Sequence, residues 1–143
     1  MPDEEGSNGA SVAWHPVQKK YYAAFAGKPS YPLAVFNALG KRVSPDLLTT
    51  QIDVRGLWYN SNTKLICGNA FKDLGWFSYQ LDAAGIPQEL TIVLSGTNQP
   101  SPQSVGAFNA KNERVYFLNY TEIRVYNKEG KQEEDSTITL RLN

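Results

Sequence analysis

Two side chains in the sequence have types that could serve catalysis by themselves. His15 is the only histidine, the side-chain type that changes charge near neutral pH and can act as a general acid or base. Cys67 is the only cysteine, and a cysteine is nucleophilic where a partly exposed, electropositive setting favours its thiolate. His15 stands directly before Pro16, as a turn residue would, and Cys67 lies in the apolar run 65–68. The sequence therefore predicts a turn residue and a buried, inert thiol, and no catalytic residue.

The rest of the composition argues against metal and cofactor sites. A zinc or iron–sulfur site built on cysteine needs several thiolates, and one cysteine with one histidine cannot supply a zinc site within one chain. No calcium-binding loop with acidic residues at alternate positions is present. The acidic runs 3–5 and 133–135 are typical of solvated loops, and no spacing selects a pair of carboxylates for hydrolysis. We therefore predict no metal and no cofactor.

Charge and hydropathy limit the partners. The 143 residues carry 14 Lys+Arg and 14 Asp+Glu, so the chain lacks the excess of basic groups on which non-specific binding to nucleic acids or anionic membranes depends. The first nine residues are acidic and Gly-rich rather than basic and then apolar, and no apolar run is long enough to span a membrane. We expect a soluble chain without nucleic-acid or membrane partners, and the compartment stays unknown.

The elements that would position any site repeat three times along the chain. Three stretches, which begin at Val12, Gly56 and Gly106, align without a gap. In each stretch a large aromatic residue is followed six positions later by a basic residue, and then by three apolar or aromatic residues. The aromatics are Trp14, Trp58 and Phe108, and the bases are Lys20, Lys64 and Arg114. We expect the three aromatics to occupy one repeat position and to pack between repeats.

A second pattern gives the length of the repeat. An Asn or Asp stands three residues before each of Gly40, Gly85 and Gly130, and these glycines are spaced 45 residues apart. An Asx side chain can accept a hydrogen bond from the backbone two residues on, and glycine readily adopts the positive φ that a tight turn needs. Each tetrad therefore predicts a turn between two strands.

Within each repeat, short runs rich in aromatic and β-branched residues alternate with Asn, Gly, Pro and Asp clusters, which is typical of β-strands. No long amphipathic helix is present, so we predict an all-β chain with four antiparallel strands in each repeat. The predicted strands are 12–14, 20–25, 33–36 and 47–54 in the first repeat, 56–59, 64–69, 76–81 and 90–94 in the second, and 107–108, 114–118, 123–126 and 137–142 in the third. The predicted organisation is a disordered leader at 1–11, then units at 12–55, 56–105 (ending in a Pro/Ser-rich connection) and 106–143.

Units of about 45 residues with four antiparallel strands resemble the blades of β-propellers. The stretch 12–23 is similar to the first hairpin of a WD40-like or TolB-like blade, and 106–127 is similar to an NHL- or YVTN-type blade. The resemblance covers residues 12–143 and implies a half-propeller of three blades. Because propellers typically close with ~4–8 blades, the outer faces of the first and third blades need a cover. We expect a homodimer that closes a six-bladed ring, and the alternatives are a longer protein or another sandwich or barrel.

The loops that differ between repeats are the better candidates for a binding surface, because the shared fold does not explain them. The first two repeats have longer loops between their second and third strands than the third repeat has. Aromatic and charged side chains on these loops, together with one residue at the connection between repeats, could contact a protein, a peptide or a sugar. The predicted contact residues are Lys28, Tyr31, Arg55, Lys72, Asp73, Trp76 and Tyr120.

These observations favour a non-enzymatic binding or scaffolding module that associates with a second copy. One alternative is a hydrolase or lyase with a pocket at the centre of a dimeric ring, where His15 from both chains could meet. Another alternative is a segment of a larger surface or envelope protein.

Overall fold

The computed structural model describes residues 8–94 and 104–141. Within these residues the secondary structure consists of eleven β-strands and two short 3-10 helices. The strands are β1 (Asn8–His15), β2 (Lys20–Ala26), β3 (Leu33–Asn37), β4 (Val54–Asn60), β5 (Leu65–Ala70), β6 (Trp76–Leu81), β7 (Pro87–Leu94), β8 (Ala107–Asn109), β9 (Arg114–Asn119), β10 (Glu122–Tyr126) and β11 (Ile138–Thr139), and the 3-10 helices are Lys72–Leu74 and Glu134–Ser136.

The strands form three sheets in which every strand pairs antiparallel with its sequence neighbour. The first sheet has the order β1-β2-β3, the second β4-β5-β6-β7 and the third β8-β9-β10-β11. The all-β prediction is therefore confirmed, and each repeat in the sequence corresponds to one sheet.

The three Asx-Gly tetrads form the same turn. In each, the glycine N–H donates to the carbonyl of the Asn or Asp, and the glycine has a positive φ of 78–81°. The Asx side-chain oxygen accepts two more backbone N–H groups, two and four residues on, as Asn37 does from Leu39 and Lys41. The predicted turns after β3, β6 and β10 are confirmed, and they depend only on local sequence.

The predicted fourth strand of the first repeat, 47–54, is wrong. After the turn at Gly40 the chain does pair with β3, but in two fragments, through the bridges Phe36–Arg42 and Pro32–Thr49. The break lies at Ser44 and Pro45, where the Ser44 hydroxyl accepts the N–H of Val35 and the proline has no N–H to donate. Val54 is the first residue of β4.

Both ends of the described chain also differ from expectation. Strand β1 begins at Asn8, inside the predicted leader 1–11, because Asn8, Gly9 and Ser11 pair with the end of β2 across a bulge. The last strand is only two residues long within the predicted range 137–142. Residues 1–7, most of the Pro/Ser-rich connection and the last two residues lie outside the described part of the chain.

The gapless alignment of the second repeat is wrong by one residue. The first hairpins of the three sheets all have four-residue loops, which follow His15, Asn60 and Asn109. The last loop residue is left-handed in each case, with φ of 53°, 60° and 53° at Lys19, Lys64 and Glu113. Hairpin geometry therefore equates Trp14 with Tyr59 and Phe108, and the match of Trp14 to Trp58 is a coincidence of residue type.

In this register the packing of the sheets repeats. We call the face of a sheet that points toward the preceding sheet its backward face, and the opposite face its forward face. The equivalent faces at the two ends, the backward face of the first sheet and the forward face of the third, keep these names. The forward face of the first sheet and the backward face of the second form one buried cluster, which includes Ala13, Tyr22, Leu33, Val35, Leu57, Ile66, Phe77 and Tyr79. The forward face of the second sheet and the backward face of the third form another, with Trp58, Trp76, Val115, Phe117 and Tyr126, flanked by Cys67, Leu94 and Phe108.

Candidate functional site

Two of the predicted contact residues, Arg55 and Lys72, lie around one aromatic ring. The Arg55 guanidinium stands 4.4 Å from the centre of the Phe71 ring, and the Lys72 ammonium stands 5.1 Å from the same ring. Arg55 also pairs with Asp53 at 3.1 Å and is mostly buried, with 19% of its side chain exposed. The arrangement therefore leaves Lys72 more accessible than Arg55.

The loop of the first sheet joins this cluster through Asp53. The second carboxylate oxygen of Asp53 accepts the N–H of Gly27, at the start of the loop between β2 and β3. Farther along this loop the Lys28 ammonium lies 5.9 Å from the centre of the Tyr31 ring, and Tyr31 is half-buried. The structure thus brings Lys28, Tyr31 and Arg55 to the same edge of adjacent sheets.

The other three predicted contact residues have separate outcomes. Trp76 is only 3% exposed, so its expected exposure is wrong: as the first residue of β6 it turns into the core between the second and third sheets. Tyr120 is 90% exposed, on the short loop of the third sheet. The Asp73 side chain lies outside the described part of the structure.

His15 has a structural role in the fold. Its ring is 2% exposed and lies 4.5 Å, centre to centre, from the ring of Tyr59. The Gln18 N–H donates to Nδ1, so Nε2 carries the proton and donates to the Lys64 carbonyl at 2.8 Å. Both nitrogens are thus bound to backbone, and the ring ties the first hairpin of the first sheet to that of the second.

A cleft of about 350 Å³ lies between the second and third sheets. Trp58, Cys67, Trp76 and Ser78 line it from the second sheet, and Phe108 lines it from the third. Polar residues of the neighbouring turns border it: Asn60, Thr63, Glu113, Lys128 and Glu129. The cleft therefore combines aromatic walls with a charged border, which is the usual composition of a small-ligand pocket.

Two small residues account for the space. In the first sheet, Tyr22 and Val35 are cross-strand neighbours on the forward face, and both are fully buried against the second sheet. The hairpin register puts Cys67 at the position of Tyr22, and Ser78 is its cross-strand neighbour in the second sheet. The second sheet thus replaces a tyrosine and a valine by a cysteine and a serine where the cleft opens.

The polar groups of the cleft differ in how well they are satisfied. The indole Nε1 of Trp76 is buried and has no hydrogen-bond partner among the described residues. At the border the Lys128 ammonium lies 3.4 Å from a carboxylate oxygen of Glu113, and the other oxygen of Glu113 accepts from the Asn62 amide. Glu129 adds a second, exposed carboxylate. The border therefore carries two acidic residues and one basic residue.

Sequence reasoning missed this cleft, although it named four of its residues for other roles: Trp58, Cys67, Trp76 and Phe108. Ser78 and Glu113 belong to no motif in the sequence, and Lys128 belongs to one only as part of the third Asx-Gly turn. The signal that could have found the cleft is the change from Tyr22 to Cys67, which is visible only when the repeats are aligned by their hairpins.

Burial controls the chemistry of Cys67, whose thiol is free. Its apolar surroundings raise the pKa of the thiol from 9.0 to about 12. We expect a disulfide reagent at pH 8 to react with the folded protein at least about tenfold more slowly than with the protein in guanidinium, because the thiolate is the reactive form. Equal labelling rates in the two states would contradict this assignment.

The raised pKa of Cys67 also makes stability depend on pH. The unfolded thiol loses its proton at a lower pH than the folded thiol does. The contribution of the protonated thiol to the free energy of unfolding is therefore present below pH 9 and is lost as the pH rises toward 12.

The outermost sheet faces are only partly covered. On the backward face of the first sheet, Val12, Trp14 and Tyr21 are 63%, 38% and 41% exposed, and the Trp14 and Tyr21 rings stack on each other at 4.5 Å. On the forward face of the third sheet, Leu118 is 56% exposed. Of the three aromatics predicted to pack between repeats, Trp58 is buried, Phe108 is half-buried and Trp14 is exposed.

Over 8–94 and 104–141, no three His, Cys, Asp or Glu side chains are grouped so that they could hold a metal ion. No helix in the same residues has the length and apolar character required to cross a membrane.

Comparison with known proteins identifies the fold but not a family. No protein-family model and no curated protein matches the sequence. Among solved structures, a protein of unknown function from Bacteroides caccae matches 99% of this chain with a TM-score of 0.54 and 13% identity. The β-propeller domain of Cps50 (Swd1) from Myceliophteria thermophila matches 92% with a TM-score of 0.52 and 14% identity. The chain spans only 49% and 41% of the lengths of these two proteins. The fold is therefore propeller-like.

Proposed function

We propose that this chain is a non-enzymatic binding or scaffolding module that pairs with a second copy of itself through its first and third sheets. In this assembly the forward face of each third sheet packs on the backward face of the partner's first sheet. The result is a closed two-fold ring of six sheets, three from each chain, with no outer face left open.

The main support for the proposal is that equivalent residues on the backward faces of the three sheets differ in solvent exposure. In the second sheet, Tyr59 is half-buried and Ile66 is fully buried beneath the first sheet. In the third sheet, Val115 occupies the position of Ile66 and is 2% exposed beneath the second sheet. In the first sheet the same positions are held by Trp14 and Tyr21, large aromatics that the described residues leave partly uncovered. A face of this composition favours a sheet-to-sheet contact of the kind already made twice in the molecule.

The forward face of the third sheet supplies a complementary surface. Leu118 is exposed there, and Ala107 and Ile123 are exposed and half-buried. Small and aliphatic side chains facing Trp14 and Tyr21 would reproduce the pairing of Ala13 and Leu33 with the second sheet. The lengths of the solved neighbours support the proposal, because a second copy would roughly double the chain.

The enzymatic alternative is less well supported. It relied on His15 from two chains meeting at the ring centre, and both ring nitrogens of His15 are bound to backbone groups. A longer chain that supplies its own further sheets would cover the same faces and is the main competing arrangement.

Light scattering after size exclusion, over a dilution series, tests the proposal. We expect the wild-type protein to have twice 15.9 kDa, and the variant Trp14→Asp to have 15.9 kDa, because a buried carboxylate would oppose the contact. Leu39→Asp is the matched control, since Leu39 is 93% exposed at the first Asx turn, and it should remain a dimer. A folded wild-type monomer at every concentration would overturn self-association. A Trp14→Asp protein that stays dimeric would overturn the assignment of the contact to the first-sheet face that carries Trp14.

A further inference from the structure

We propose that the cleft between the second and third sheets is a binding site for a small aromatic amine. Both walls of the cleft belong to one chain, so this site goes beyond the proposed self-association and does not depend on it. Its volume of about 350 Å³ lies within the range of small-molecule sites, roughly 300–1,000 Å³, at the lower end. The site is therefore large enough for one substituted ring and little more.

The walls determine the body of the ligand. Trp58 and Trp76 are in edge contact with each other at 5.5 Å, and Phe108 borders the cleft from the opposite sheet. Aromatic side chains recognise aromatic rings through stacking and edge-to-face contacts, which add to the burial of apolar surface. A flat ring is thus favoured over a flexible polar chain.

The polar group on the cleft wall determines what the ring carries at its inner end. Ser78 of β6 lines the cleft, and its hydroxyl can donate or accept a hydrogen bond. The indole Nε1 of Trp76 is enclosed by the protein and does not face the open space, so a ligand would not contact it. A phenolic or ether oxygen on the ligand would pair with the Ser78 hydroxyl, whereas a purely apolar ring would not.

The border determines the charge of the outer end. Glu113 is already shared between Lys128 and Asn62, which leaves Glu129 as the carboxylate available to a ligand. Two acidic residues against one basic residue favour a cation at the cleft border. A ring with an oxygen at one end and an ammonium group at the other matches all three features.

Tyramine has this pattern and serves as the probe, with 3-(4-hydroxyphenyl)propionate as a control of the same body and opposite charge. Because two of the three tryptophans line the cleft, we expect a saturable change in tryptophan fluorescence on addition of tyramine. We expect the propionate to bind at least about threefold more weakly, as suits an exposed charge pair. A wild-type protein with no saturable tyramine response, or with equal affinity for both probes, overturns the proposal.

Two variants locate the site. Ser78→Val removes the hydroxyl and recreates the side chain of Val35 in the first sheet. The substitution should narrow the cleft and weaken tyramine binding about tenfold or more. Glu129→Gln changes an exposed turn residue without filling the cleft, and should remove the preference for tyramine over the propionate. Glu134→Gln removes an exposed carboxylate outside the cleft and should leave both affinities unchanged. If Ser78→Val fails to fold, the Glu129→Gln and Glu134→Gln pair still decides: the same effect from both variants, or no effect from Glu129→Gln, overturns the site.

Discussion

Replacing Phe117 by alanine is expected to lower the free energy of unfolding by about 3–5 kcal/mol, the usual cost of removing a buried phenylalanine. The side chain is fully buried in β9 and joins the third sheet to the second. Its ring lies 5.5 Å from the Trp76 ring, 5.9 Å from the Trp58 ring and 5.5 Å from the Tyr126 ring. These neighbours are rigid aromatics that cannot readily fill the gap, so the substitution creates a cavity among them. Urea unfolding followed by circular dichroism, at one fixed protein concentration, measures the effect.

The control for this variant is Tyr120→Ala in the adjacent loop of the same sheet. Tyr120 is 90% exposed, and substitutions of exposed residues are usually within about 0.5 kcal/mol of the wild type. A Phe117→Ala protein as stable as Tyr120→Ala would show that the second and third sheets do not share a common core.

The turns could be predicted from sequence because their cause is local. An Asx side chain and a glycine three residues later are sufficient to form the observed turn, and the same hydrogen bonds recur at Asn37, Asp82 and Asn127. The strands of the second repeat also matched well, because short runs rich in aromatic and aliphatic residues stand there between Asn, Gly, Pro and Asp clusters. The first repeat failed at Ser44 and Pro45, where one hydroxyl and one missing N–H interrupt pairing that the surrounding residues favour.

The register could not be predicted from residue types. Trp14 and Trp58 look equivalent because both are tryptophans near the end of a first strand, yet they lie on opposite faces of their sheets. A shift of one residue moves every side chain to the other face, so this single error changes which residues are expected to meet. The left-handed residue that ends each hairpin loop fixes the correct alignment, and lysine or glutamate in that position gives no sequence signal.

The cluster of Lys28, Tyr31 and Arg55 and the cleft also differ in how well the sequence predicts them. Long loops that vary between repeats are visible in a sequence, and they point to Lys28, Tyr31 and Arg55. A cleft arises from what is missing between two sheets, in this molecule the bulk of a tyrosine and a valine at Cys67 and Ser78. Whether small residues leave a space depends on the facing sheet, which is distant in sequence. The packing between sheets is therefore the part of the candidate site that could not be predicted from the sequence.

Replacing Gly68 by alanine is expected to destabilise the protein by about 2–3 kcal/mol through overpacking. Gly68 lies in the middle of β5 on the backward face of the second sheet, opposite Leu57 on one side and Phe77 on the other. A Cβ atom there would stand 2.5 Å from Cζ of the Phe77 ring and would collide with the backbone carbonyl oxygen of Gly56. Phe77 is fully buried and the carbonyl belongs to the neighbouring strand, so neither can move without disturbing the first two sheets. The shift of the urea midpoint measures the loss.

The comparison that isolates this effect is Gly9→Ala in β1, where no described atom lies within 4 Å of the added Cβ. Both variants replace a strand glycine by alanine and so reduce the freedom of the unfolded chain equally. Gly9→Ala should therefore leave stability within about 0.5 kcal/mol of the wild type or raise it slightly. If Gly68→Ala were as stable as Gly9→Ala, the close approach of β4, β5 and β6 at this point would be wrong. The backward face of the second sheet would then have space for a methyl group beside Phe77, which the described packing does not allow. The assignment of backward and forward faces, on which the proposed self-association depends, would need revision.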